Sequence, residues 1–154
     1  VTAKSIENGI RQTRWPGRFQ IIPAASETPE IIFDVAHNPA GAWALRSTLS
    51  AKYEDRQLTF VFGAMQDKAI REITEILFPI ATRVILTSAD NPRSATPGDI
   101  REASKRIEVE MEDATNVDAA LRRAKTVAGP GGVIVVTGSI YIVGEAMRTL
   151  GVRV

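Results

Sequence analysis

Apolar residues in this chain gather into short unbroken runs instead of alternating with polar ones. Ile31-Ile32-Phe33, Leu58-Thr59-Phe60-Val61-Phe62, Val84-Ile85-Leu86-Thr87 and Val133-Ile134-Val135-Val136 are too short for helices and rich in β-branched and aromatic side chains. The stretches between them carry a helical period. Ala42, Leu45 and Leu49 fall on one face of a helix from Pro39 to Lys52, and further helices are predicted over 67–78, 97–106, 117–128 and 141–150. Weaker strands are expected at 18–22 and near Val109. Strands that stay apolar at every position are buried on both faces, and strands alternating with helices build parallel sheets. The predicted fold is therefore α/β: a Rossmann-like three-layer domain with a mostly parallel sheet of about six strands flanked by helices.

Boundary residues agree with this division. Thr96-Pro97-Gly98-Asp99 supplies an N-cap, a proline at the first helical position and an acid in the first turn, and Asn116 with Asp118 does the same further on. Gly129-Pro130-Gly131-Gly132 has the composition of a phosphate loop, but it precedes a strand instead of following one and reads as a turn.

In a parallel sheet, the loops after the strands meet at one edge, where ligands bind. That edge collects Asp34, His37 and Asn38 from the run Asp34-Val35-Ala36-His37-Asn38-Pro39, which holds the chain's single histidine. It also collects Gly63 to Lys68, Ser88 to Ser94, and Thr137 to Tyr141. Asn38 suits an N-cap and Pro39 the first helical position, so this run satisfies both a polar site and a helix start. Asp67 and Lys68 likewise suit either a ligand contact or a first helical turn. Arg93, in a loop bounded by Pro92, has the planar fork that grips a carboxylate with two hydrogen bonds. Ser139 stands before a helix, where a hydroxyl binds an anion or caps the helix.

Composition narrows the chemistry. With 154 residues and 44% hydrophobic side chains, the chain supports one domain with a core. Nineteen basic and eighteen acidic residues leave a net charge of +1, spread too evenly to draw in nucleic acid or a membrane surface, so small molecules and proteins are the expected partners. The absence of cysteine excludes disulfides, zinc–thiolate sites and thiol nucleophiles, and fits a reducing cytoplasm. No signal peptide or apolar run of membrane length occurs. No glycine-rich loop ends in Lys-Ser or Lys-Thr, no Gly-x-Gly-x-x-Gly follows a strand, and one histidine gives little support to a hydrolase triad. The chain opens on Val1, and residues 1–14, with Ile6 and Ile10, read as the end of a polar helix; a longer parent protein is expected.

Taken in order, Trp15-Pro16-Gly17-Arg18, Asp34-Val35-Ala36-His37-Asn38-Pro39, Val61-Phe62-Gly63-Ala64 with Asp67-Lys68, and Thr137-Gly138-Ser139-Ile140-Tyr141 with Val143-Gly144-Glu145 form a recognisable series. The series resembles the C-terminal domain of folylpolyglutamate synthase/dihydrofolate synthase, in the Mur ligase superfamily, from about Trp15 to the end. Val35 departs from the pattern, which usually has glycine there. The resemblance implies residues 1–14 as the end of an interdomain linker helix, residues 15–154 as the glutamate ligase domain, and an N-terminal ATPase domain absent from this chain. It implies an ATP- and Mg²⁺-dependent ligase that adds L-glutamate to dihydropteroate or to folate polyglutamates through an acyl phosphate, with most metal ligands on the absent domain and no activity in this piece alone. Carried over by residue, Arg18 and Asp34 are expected to contact the nucleotide. His37, Asn38 and Ser139 are expected at the reacting centre or holding glutamate, and Arg93, Asp67 and Lys68 on the substrate side.

Asp90-Asn91-Pro92-Arg93 also resembles the amino-acid pocket of the sister ligases that build the peptidoglycan precursor, which makes that branch the second reading. A third is a non-catalytic Rossmann-like domain that binds a nucleotide or a protein.

Overall fold

A computed structural model describes residues 1–13 and 15–153, apart from the side chain of Arg11. The elements run α1 (Ala3–Gln12), β1 (Gln20–Ile22), β2 (Glu30–Phe33), α2 (Pro39–Lys52), β3 (Leu58–Phe62), α3 (Ile70–Leu77) with a 3₁₀ turn (Phe78–Ile80), β4 (Arg83–Leu86), α4 (Pro97–Ala103), β5 (Glu110–Asp113), α5 (Val117–Ala128), β6 (Val133–Thr137) and α6 (Ile140–Thr149).

One sheet holds all six strands in the order β1-β2-β6-β3-β4-β5. β1 is antiparallel to β2, and the other neighbours are parallel, with Phe33 level with Val136 and Phe62 level with Thr137 and Leu86. Successive strand residues face opposite sides, so each apolar run feeds two cores. Ile32, Phe60, Phe62 and Val135 meet Leu45 and Leu49 of α2, Ile73 and Leu77 of α3 and Ile100 of α4. Val61, Ile85, Ile134 and Val136 meet Leu121 and Ala124 of α5 and Val143 and Met147 of α6. This is the three-layer α/β arrangement that the unbroken apolar strands imply.

The topology makes the site. β2 and β3 hand the chain to helices on one face, while β6, between them, hands it to α6 on the other. Loops that leave neighbouring strands toward opposite faces open a crevice at the carboxyl edge.

Most boundaries lie within a residue or two of expectation, and two differ more. α3 begins at Ile70, not Asp67, because residues 64–66 are drawn into backbone pairing with residues 93–95; Ala95 N–H donates to Ala64 O at 2.9 Å and Gln66 N–H to Arg93 O at 2.8 Å. α4 ends at Ala103 instead of Arg106, where the buried Ser104 Oγ donates to Ile100 O at 2.8 Å and competes with the next helical turn. Among the described residues, no helix is long and apolar enough to cross a membrane.

Candidate functional site

The loop after β2 is fastened at its first residue. Asp34 Oδ2 accepts the Phe19 N–H at 3.0 Å and Oδ1 accepts the Ala36 N–H at 2.9 Å. Val35 N–H donates to Gly17 O at 2.7 Å, so the turn carrying Arg18 and the loop carrying His37 form one unit. Burial pushes the Asp34 carboxyl above its ordinary range, against the lowering effect of the two amides and of the Arg18 charge. Arg18 is exposed, and its guanidinium stacks 4.4 Å from the Trp15 ring.

His37 Nδ1 lies 2.9 Å from Val35 O. A carbonyl only accepts, so Nδ1 is the donor in this contact and Nε2 is the ring nitrogen left for another partner. Asn38 caps α2 through Oδ1, which accepts the Gly41 N–H at 2.7 Å, with Pro39 in the first turn. Its side-chain carbonyl is thus used within the fold, and the amide NH₂ is the part it presents outward.

The loops after β3 and β4 are bound to each other. Met65 and Ser94 form a β-bridge, and Gln66 Nε2 donates to Ser94 O at 3.2 Å. Ser88 Oγ donates to Ala95 O at 2.7 Å, and Ser94 Oγ to Ala89 O at 3.0 Å. This frame carries Lys68, 4.0 Å from Asp67, and Arg93, whose exposed guanidinium has no protein partner among the described residues.

The loop after β6 packs against the end of β3. Gly138 has φ 105°, and a Cβ there would stand 2.2 Å from Gly63 O; a Cβ on Gly63 would stand 2.5 Å from Ile142 Cδ1. Only glycines permit this approach, which seats Ser139 at the start of α6. Ser139 is 2% exposed, and its Oγ accepts the Tyr141 N–H at 3.1 Å. Beneath it, Thr87 Oγ1 and Thr137 Oγ1 are buried without hydrogen-bond partners among the described residues.

A cleft of about 580 Å³ opens above these loops, and Arg18, His37, Asp67, Lys68, Arg93 and Ser139 line it together. The other two expected site residues, Asp34 and Asn38, line a second recess of about 360 Å³ on the far side of the 34–38 loop, which shares Arg18, Val35 and His37 with the cleft. Sequence reasoning placed Met65, Ile140 and Tyr141 at this edge and Trp15 in a motif, but did not foresee that together they form an apolar wall of the cleft. Trp15, Ile140 and Tyr141 are 58%, 63% and 41% exposed. Three cations and a single carboxylate beside an apolar wall suit anionic molecules with an apolar body. Arg18, Lys68 and Arg93 fit phosphate or carboxylate oxygens, while no group of three or more potential metal ligands occurs among the described residues.

A family model described as "Mur ligase, glutamate ligase domain" matches residues 17–140. A probable bifunctional folylpolyglutamate synthase/dihydropteroate synthase from Haloferax volcanii is 34% identical over 97% of this chain and 17% of its own length. A UDP-N-acetylmuramoyl-L-alanyl-D-glutamate–2,6-diaminopimelate ligase from Clostridium perfringens is 33% identical over 86% of this chain and 28% of its own. The bifunctional folylpolyglutamate synthase/dihydrofolate synthase from Yersinia pestis, solved with AMPPNP and a Mn ion, superposes with a TM-score of 0.84 and 30% identity, over 98% of this chain and 35% of that one. The chain thus spans about a third or less of the length of the proteins it matches.

Proposed function

This chain belongs to the Mur ligase glutamate ligase domain family, and from that premise we propose that it forms the amino-acid side of an ATP-dependent ligase that adds L-glutamate to dihydropteroate or to folate polyglutamates. The observation that carries the reading is the convergence of Arg18, His37, Lys68, Arg93 and Ser139, from five separate loops, on one cleft with an apolar wall.

ATP and Mg²⁺ supply phosphoryl activation of the acceptor carboxylate and neutralise phosphate charge. Arg18, steadied on Trp15, is placed to meet phosphate oxygens, and Asp34 is the acid offered to the nucleoside. Arg93 takes a carboxylate of the incoming amino acid through its two-pronged fork. Lys68 adds a second positive charge on that side, and Asp67 offers the amino group a carboxylate. His37 Nε2 accepts a hydrogen bond at the reacting centre, the Asn38 amide NH₂ can donate there, and Ser139 caps the start of α6, the end of a helix that favours negative charge. Metal ligands and the phosphate loop belong, in this reading, to a separate ATPase domain, and the reaction to the cytoplasm. This domain alone is expected to be inactive.

The peptidoglycan branch remains the second reading, favoured by the Clostridium relative and by the run Asp90 to Arg93. ADP release by the full-length protein with Mg-ATP and glutamate decides between them. Turnover with dihydropteroate or tetrahydrofolate supports the folate reading, and turnover with a UDP-muramoyl dipeptide and a diamino acid alone replaces it. No turnover with any acceptor removes both.

A further inference from the structure

The loop that carries Arg93 is held from two sides, by residues that do not themselves line the cleft. Gln66 N–H donates to Arg93 O at 2.8 Å at the far end. At the near end, the half-buried Glu145 accepts the Asp90 N–H through Oε1 at 2.6 Å, across 55 residues of sequence. Between these anchors the loop is stiffened internally: Asn91 N–H donates to Ala89 O at 2.8 Å, and Arg93 N–H to Asn91 Oδ1 at 2.9 Å.

Glu145 lies in α6, whose first residues, Ile140 and Tyr141, together with its cap Ser139, form one wall of the cleft. Its carboxylate therefore ties that wall to the loop bearing the arginine opposite. A hydrogen bond from an amide to a carboxylate is among the stronger kinds, and this one fixes a backbone position instead of balancing a charge.

We propose that Glu145 is a positioning residue, which fixes the Asp90–Arg93 loop against α6 so that the Arg93 guanidinium faces the carboxylate of the incoming amino acid. The proposal rests on the ligase reading above. Glu145 touches no reactant itself; it acts through Arg93.

The test combines hydrogen exchange with kinetics on the full-length protein carrying Glu145→Ala, Glu145→Gln and Glu145→Asp. Glutamine keeps an acceptor oxygen at the same reach, whereas aspartate keeps the charge but withdraws it by one methylene. Ala and Asp are expected to speed exchange in residues 88–95 while α6 stays protected, and to raise KM for the amino acid by about tenfold with KM for ATP unchanged. Gln is expected to stay within about threefold of the parent on every readout. Unchanged exchange in the loop overturns the clasp. Equal rises in both KM values, or faster exchange with no change in amino-acid KM, overturn the positioning role. A parent protein without turnover removes the ligase reading and the role with it, while the exchange data still report whether the clasp exists.

Discussion

Asp34 holds Phe19 in a backbone conformation that side chains avoid. Its Oδ2 accepts the Phe19 N–H at 3.0 Å, and Phe19 has φ 44°, the only described residue other than glycine with positive φ. The same carboxylate accepts the Ala36 N–H, so one side chain fixes both the turn behind Arg18 and the loop before His37. Asp34→Asn keeps one acceptor and turns an NH₂ against the other amide. Asp34→Asn is expected to destabilise the fold by about 1–3 kcal/mol, read by urea unfolding, with faster exchange at the Phe19 and Ala36 amides.

Burial of that carboxyl also gives a pH dependence of definite sign. Its folded pKa lies above the ordinary 3.8, so the folded chain binds the proton more tightly than the unfolded one. Asp34 therefore contributes most below the ordinary value, and its contribution falls as pH rises toward the raised one. The stability difference between the parent and Asp34→Asn, measured from about pH 4 upward, is expected to shrink and then level off. A difference that grew with pH would reverse the assignment.

Tyr53 predicts the opposite end of the scale. Burial, and Glu30 close by, push its phenol up to about 12. Between about pH 10, where an unfolded tyrosine ionises, and 12, the unfolded chain sheds a proton that the folded chain keeps, so stability falls across that window. Tyr53→Phe is expected to flatten that fall and to remove the late step from the phenolate absorbance titration.

The contact between Gly63 and Gly138 is expected to tolerate no side chain. At Gly138 an added Cβ meets backbone oxygen 2.2 Å away under a φ of 105°, and neither strain relaxes without parting β3 from β6. Gly138→Ala is expected to cost at least about 2 kcal/mol and to lower Tm by more than about 4 °C by calorimetry.

How far the sequence foretells this site depends on the range of the forces at each position. The strands were legible because burial on both faces leaves its mark residue by residue, as in Val133 to Val136, each fully buried. Asn38, Thr96 and Asn116 were legible as caps because a cap is a local hydrogen bond. The start of α3 was not, since Ala64 to Gln66 take their conformation from partners near Arg93, and no local period records a contact between two loops. Residues 63–68 and 137–141 were legible as edge loops because each follows an apolar strand, but that Met65, Ile140 and Tyr141 share one apolar wall was not, since it depends on how separate loops meet. Glu145 appeared in the sequence only as part of a family motif, because its partner is a backbone amide, which carries no residue identity.

Arg93 offers the sharpest test of the proposed amino-acid side of the cleft. Its guanidinium has no protein partner among the described residues, so removing it breaks no hydrogen bond in the fold, and Tm is expected to stay within about 1 °C of the parent. A bound carboxylate, by contrast, loses two parallel charge-assisted bonds. Arg93→Ala is expected to raise KM for the amino acid by about tenfold or more while leaving KM for ATP unchanged. Arg93→Lys separates charge from shape. Lysine restores the positive charge but as a point with no fork, so if two-pronged binding is what the loop provides, lysine recovers only a small part of the loss. Full recovery with lysine would show that charge alone suffices, and a rise in the ATP KM instead would move Arg93 to the phosphate side of the cleft.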